Sequence, residues 1–201
     1  AATDNPLVFP ESGDVLSGGN FHGHPVAVAL DSLAVALAGL CGFVERRIER
    51  LVNPQLSELP AFLVESSGLH SGFMMAQISA AALAAEARVL ATPASVQSIP
   101  TSGGKEDFVS MGWFAAVKAA QIADRLATLI ALECLSAAQG LDFLRPLRPG
   151  RGVAAAHGLV RAVVPHLDAD RVLRPDLDRL VPLLEDGRLL AAAEAAAGPL
   201  A

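Results

Sequence analysis

The sequence predicts an all-α protein: a bundle of long helices with one short β-hairpin near the N-terminus. Three observations carry this. Residues of the AVILMFWYC set make up 52% of the 201 positions against 18% charged, with a mean hydropathy of +0.44, so the chain can bury a large core and is not disordered. Its apolar runs are far longer than the roughly 4–8 residues of a strand. Proline-rich breaks at Asn53-Pro54, Thr92–Ser110 and Pro146–Gly150 separate those runs into helix-sized pieces.

The elements follow in order. Leu7-Val8-Phe9 and Val15-Leu16 flank Pro10-Glu11-Ser12-Gly13-Asp14, whose turn chemistry makes a hairpin. Ser17-Gly18-Gly19-Asn20-Phe21-His22-Gly23-His24 is a glycine-rich loop. It matches neither common phosphate-binding pattern and reads as a tight turn into a helix. Pro25 suits the first turn of that helix, which should run to Leu51 or Val52, about 40 Å. Arg46, Arg47 and Arg50 complement its C-terminal dipole. A punctuated connection over 53–70 leads to a second helix over 71–90, with Phe73, Met74 and Met75 in the core. A long irregular loop, Thr92–Ser110, precedes a third helix over 109–139, which Gly140 should end. Three short amphipathic helices over 151–164, 175–185 and 187–197 look peripheral, and the alanine-rich tail 191–197 should fray if it stands alone.

Several function classes are excluded. A net charge of −6 and a pI near 5.3 offer no basic field for nucleic acid. Two cysteines, Cys41 and Cys134, make neither a disulfide framework nor a four-ligand zinc site, and inside apolar helices they read as small core residues. His22 and His24 lack a third ligand at metal spacing, so no metal is expected. Val26–Val44 is nineteen residues with one charge, Asp31. A membrane span needs roughly 20 apolar residues and favours an aromatic belt. This run has Asp31 and Ser32 inside it and passes straight into Glu45–Arg50, so it reads as the interior helix of a bundle.

Two further features bear on organisation. The chain opens on Ala1 with no basic region followed by an apolar one, and reads as a piece of a longer polypeptide. Helices apolar on every face need more covering surface than these residues supply, so an oligomer or a further N-terminal segment is expected. The residue with most chemical promise is Glu106, a carboxylate on a glycine-flanked loop leading into an apolar helix, where it could take a proton or bind a cation. Its neighbour Asp107 reads as a helix cap.

Thr3–Phe9, Gly18-Gly19-Asn20-Phe21-His22-Gly23, Glu45-Arg46-Arg47-Ile48, Ser71-Gly72-Phe73-Met74, Pro93-Ala94-Ser95-Val96, Ser98-Ile99-Pro100-Thr101-Ser102, Glu106–Met111 and Ala137-Ala138-Gln139-Gly140 occur together. This ordered set resembles the histidine and aromatic amino-acid ammonia-lyase family, in its C-terminal part and most closely on the histidine side. The resemblance implies a cytoplasmic homotetramer around a long helical bundle, with active sites assembled from more than one subunit. It implies the division 1–24 (hairpin and active-site loop), 25–140 (central bundle) and 141–201 (peripheral helices). It implies an electrophilic methylidene-imidazolone formed from an Ala-Ser-Gly triplet, and a tyrosine base. The chain contains no such triplet and no tyrosine, so both are expected on an N-terminal part of the same enzyme, and the chain alone should be inactive. By resemblance Phe21 lines the substrate pocket, and Glu106 is the catalytic acidic residue that contacts substrate. A carboxylate there suits L-histidine, converted to urocanate and ammonia. Lys105 stands where the family usually has Gln, His24 where it has Glu, and His70 where it has Asn. The other readings are a tyrosine or phenylalanine ammonia-lyase or aminomutase, and a non-catalytic helical assembly module.

Overall fold

A computed structural model describes residues 3–199; Ala1 and Ala2, at the start of the segment 1–24, and Leu200 and Ala201, at the end of the segment 141–201, lie outside it. The hairpin is β1 (Leu7–Phe9) and β2 (Asp14–Leu16), antiparallel with Val8 opposite Val15. Gly13, at φ +76°, donates its N–H to the Phe9 carbonyl at 2.8 Å and closes the turn. Three long helices follow: α1 (His24–Val52), α2 (Met74–Leu90) and α3 (Gly112–Phe143).

These helices run up, down and up. Gln77 near the start of α2 hydrogen-bonds Glu45 late in α1, whereas Arg47 of α1 pairs with Glu133 late in α3. Ala76, Ala80, Ala84 and Ala87 form a buried stripe on α2 facing Ala34, Ala38 and Cys41 of α1. Small side chains at such a contact let helix axes approach closely. Larger residues, among them Ile48, Leu63, Phe73, Leu129 and Leu132, fill the core beyond.

Two helix starts differ from the sequence expectation. The helix expected from Ser71 begins at Met74, because Gly72 is held in the left-handed region, outside helical geometry, while the Asp170 carboxylate accepts from the N–H groups of Ser71 and Gly72 at 2.9 and 2.8 Å and anchors this entry. Gly72 sits at φ +54°, and a Cβ there would lie 2.5 Å from the Phe62 carbonyl oxygen. Gly72→Ala therefore combines backbone strain with overpacking against main chain, and should lower the stability of the full-length gene product by about 2–3 kcal/mol, read as a lower thermal midpoint. The helix expected from Val109 begins at Gly112. Its N-cap is Met111 in the left-handed region, with the Ser110 hydroxyl accepting from Gly112 N–H at 3.3 Å, so Asp107 does not cap it.

Gly140 does not end α3, which continues to Phe143. A Cβ at Gly140 would lie 3.0 Å from Leu59 Cδ1, so this glycine serves close packing against the 53–63 connection. The neighbouring Gln139 is fully buried and satisfied on both ends. Its amide donates to the Leu63 and Leu167 carbonyls, and its oxygen accepts from Leu167 N–H and Arg161.

The short helices α4 (Arg151–Val163), α5 (Arg174–Glu185) and α6 (Arg188–Ala197) wrap this end of the bundle. Val160, Val164, Leu167, Leu180 and Leu183 are buried in the same core as the long helices. The alanine-rich tail is not a lone helix: α6 lies on α4 at Gly152, where a Cβ would be 3.1 Å from Ala197 Cβ.

By length and composition alone α1 and α3 could each cross a membrane. Yet Asp31 and Glu45 in α1 and Gln139 in α3 are buried and hydrogen-bonded to neighbouring elements, which is the chemistry of a bundle interior.

Candidate active site

The N-termini of α1 and α3 lie side by side. A Cβ at Gly23 would be 3.4 Å from Ser110 Oγ, and one at Gly112 would be 3.7 Å from the Gly23 carbonyl oxygen. Each helix is entered from a loop that carries one expected site residue.

Phe21 stands on the glycine-rich loop. That loop is tied back by Gly18 N–H donating to Asn5 Oδ1 at 2.9 Å and turned by His22 N–H donating to the Gly19 carbonyl at 3.0 Å. The Phe21 ring is left 50% exposed. Glu106 stands on the long loop. Thr101 N–H donates to the Glu106 carbonyl at 2.9 Å and Glu106 N–H to the Thr101 carbonyl at 3.3 Å, closing a small antiparallel bridge. Gly103 and Gly104, at φ +66° and +83°, make the turn inside it. These bonds use only the backbone, and the Glu106 carboxylate has no hydrogen bond or ion pair among the described residues, Lys105 included. Ser98 Oγ accepts from Val109 N–H at 2.9 Å and fixes the exit of the loop.

The two loops are joined. His22 Nε2 donates to the Phe108 carbonyl at 3.2 Å, the His22 and Phe108 rings are 5.7 Å apart, and the His24 ring meets Phe108 edge-on at 4.9 Å. Phe21 is one residue from this junction and Glu106 two residues from it. The site thus offers a half-exposed aromatic face and a carboxylate without a partner among the described residues, on adjoining loops that lead into two helix N-termini.

Beside the junction lies a cleft of about 520 Å³ lined by His24, Val28, Asp31, Pro93, Ser95 and Phe108. Asp31 at its floor is 5% exposed. It accepts from Ser95 N–H at 2.8 Å and from Lys118 Nζ at 3.3 Å, and Lys118 also donates to the Thr92 carbonyl. Burial alone would raise the Asp31 pKa, but hydrogen bonds from the Ser95 and Ala94 backbone, the Ser95 hydroxyl and Lys118 together bring it down to about 2. This anchor went unassigned in the sequence, although Asp31 as the single charge of the 26–44 run is the signal that marks it.

Neither cysteine has the setting of a nucleophile. Burial raises both thiol pKa values, Cys134 to about 11, whereas the reactive form is the thiolate.

Comparison with known proteins agrees with this architecture. The family model for aromatic amino acid lyases matches residues 1–162. The histidine ammonia-lyase of Myxococcus xanthus is 55% identical over 98% of the chain, which spans 39% of that protein. The crystal structure of histidine ammonia-lyase from Trypanosoma cruzi superposes with a TM-score of 0.91 at 49% identity, over 97% of this chain and 39% of that one. Tyrosine aminomutase from Streptomyces globisporus superposes with a TM-score of 0.88 at 40% identity, over 98% of this chain and 38% of that one. The chain belongs to the aromatic amino acid lyase family. It spans about two fifths of the length of the curated relatives it matches.

Proposed function

We propose that the gene product carrying this chain is an ammonia-lyase that converts L-histidine to urocanate and ammonia, with this chain as its C-terminal part. The observation that carries the reading is the Glu106 carboxylate, unpartnered among the described residues and on a loop bonded to the loop of Phe21. An ionised acceptor makes the stronger bond to an imidazole N–H or an ammonium, which is what a histidine substrate presents. The exposed Phe21 face is a wall against which a planar ring packs.

Elimination also needs an electrophile and a base. The 201 residues contain no Ala-Ser-Gly triplet and no tyrosine, so we place both on an N-terminal part of the same enzyme. The Phe21 ring is aromatic, uncharged and half-exposed, a face that suits packing against a methylidene-imidazolone ring. When present, that group supplies electrophilic activation, so that the amine can leave while a weakly acidic proton is removed. Phe21 would pack beside it, and Glu106 would hold the substrate's far end.

Segment 1–24 supplies a site loop, 25–140 the central bundle and 141–201 the outer helices. The assembly is a cytoplasmic homotetramer, with neither nucleic acid nor membrane as partner. Exposed apolar side chains on the long helices, such as Val26, Val35, Phe43 and Trp113, are the surface that an assembly of that kind would cover. The chain by itself is inactive.

Likeness to a tyrosine aminomutase at 40% identity favours one second reading, in which the substrate is tyrosine. Incubating the full-length gene product with L-histidine, L-tyrosine or L-phenylalanine and following the ultraviolet absorbance of the conjugated product separates the two. Turnover of histidine alone is expected. Rapid turnover of tyrosine with none of histidine replaces the first reading by the second, and no turnover of any of them leaves the assembly-module reading.

A further inference from the structure

We propose that His22 is a positioning residue, whose imidazole, held as the neutral Nε2–H tautomer, latches the Glu106 loop to the Phe21 loop. The proposal rests on the reading above that those two residues face the substrate.

The tautomer follows from the partners. A backbone carbonyl can only accept, so the 3.2 Å contact of His22 Nε2 with the Phe108 oxygen requires a proton on Nε2. A backbone N–H can only donate, so the 3.3 Å contact from His24 N requires a bare Nδ1. Of the three forms an imidazole can take, one satisfies both. His22 and Phe108 are 86 residues apart in sequence, so the bond to the Phe108 carbonyl is a tertiary link and not a local turn. The ring is held between its neighbours, 5.7 Å from Phe108, 6.2 Å from His24 and 6.3 Å from Phe21, centroid to centroid.

The mechanical consequence is specific. The Thr101–Glu106 bridge and the Ser98–Val109 bond fix the Glu106 loop internally, but neither sets its place against the glycine-rich loop. The His22 bond does so two residues from Glu106 and one from Phe21. A reacting geometry tolerates little misplacement: about 1 Å costs on the order of 10²-fold in rate.

Two substitutions in the full-length gene product separate the two bonds. His22→Gln keeps a donor near Nε2 that reaches the Phe108 carbonyl and gives up the Nδ1 acceptor. His22→Asn keeps an acceptor near Nδ1 for His24 N–H and is too short for Phe108. Hydrogen exchange by mass spectrometry should show His22→Asn raising exchange in both the 17–24 and the 98–110 segments, by roughly tenfold, with His22→Gln within about threefold of wild type. The kcat for L-histidine should follow the same order, reduced about tenfold in His22→Asn. Unchanged exchange in His22→Asn, or equal loss in the two variants, overturns the latch. Imidazole ¹⁵N shifts of the wild-type protein supply a test that survives misfolding of a variant. A protonated Nε2 with a bare Nδ1 supports the latch, and the opposite tautomer or the charged ring overturns it. Exchange and ¹⁵N shifts need no turnover, so a wild-type protein inactive on histidine would sink the functional reading while the latch is still judged.

Discussion

Glu106→Gln is expected to cut the kcat of the full-length gene product for L-histidine by on the order of 10²–10³-fold, with little change in its thermal midpoint. The substitution keeps size, shape and one accepting oxygen; it removes the charge and turns the other oxygen into an N–H donor. Hydrogen bonds to an ionised acceptor are roughly twice as strong as neutral ones. A single preorganised electrostatic contact at a reacting centre is commonly worth about 2.7–4 kcal/mol. The fold should not notice the change. Glu106 is exposed, its bonds to Thr101 are made by the backbone, and its carboxylate touches no partner among the described residues. Exposed substitutions of this kind usually stay within about 0.5 kcal/mol in stability. Steady-state rates from the ultraviolet absorbance of product, beside a thermal melt, give both halves of the result. A near-normal rate removes Glu106 from the site, and a collapsed melt removes the electrostatic explanation.

Much of this arrangement could be read from residues alone, because it depends on local rules. Apolar runs broken by proline gave the three long helices, and the Pro10–Asp14 turn chemistry gave the hairpin. What could not be read depends on contacts distant in sequence. The α2 entry is anchored by Asp170, which accepts from the N–H groups of Ser71 and Gly72 from 98 or more residues away, with Gly72 in the left-handed region ahead of the helix. Gly140 has the usual look of a helix stop, yet its neighbours are Leu59, Leu63 and Leu51: the glycine serves close packing inside a helix that runs on to Phe143. The alanine-rich tail carries no sign of the α4 surface that receives it. At the site, motif strings singled out Phe21 and Glu106, but nothing local revealed that His22 would bond to the Phe108 carbonyl.

Asp31 offers the largest stability effect expected from a single side chain here. Asp31→Ala leaves the mostly buried Lys118 ammonium and the Ser95 N–H without their carboxylate, and breaking a buried pair in this way costs about 3–5 kcal/mol. Asp31→Asn keeps an acceptor for Ser95 and loses the charge, so its cost should be smaller and pH-dependent. The sign follows from the folded-state pKa of about 2, below the ordinary 3.8. The unfolded chain then binds the proton more readily, and the carboxylate's contribution is present in full above pH 3.8 and disappears as pH falls towards 2. A shift of that size corresponds to about 2 kcal/mol. Denaturant melts of wild type and Asp31→Asn, taken from neutral pH downwards, should therefore differ most at neutral pH and converge as the solution is acidified through that window. A gap that stays constant to the acid end would mean that shape, and not charge, is what Asp31 provides. The same anchor reaches the site: Asp31 fixes Ser95, three residues before the Ser98 hydroxyl that ties down Val109, so its loss should also loosen the loop on which Glu106 stands.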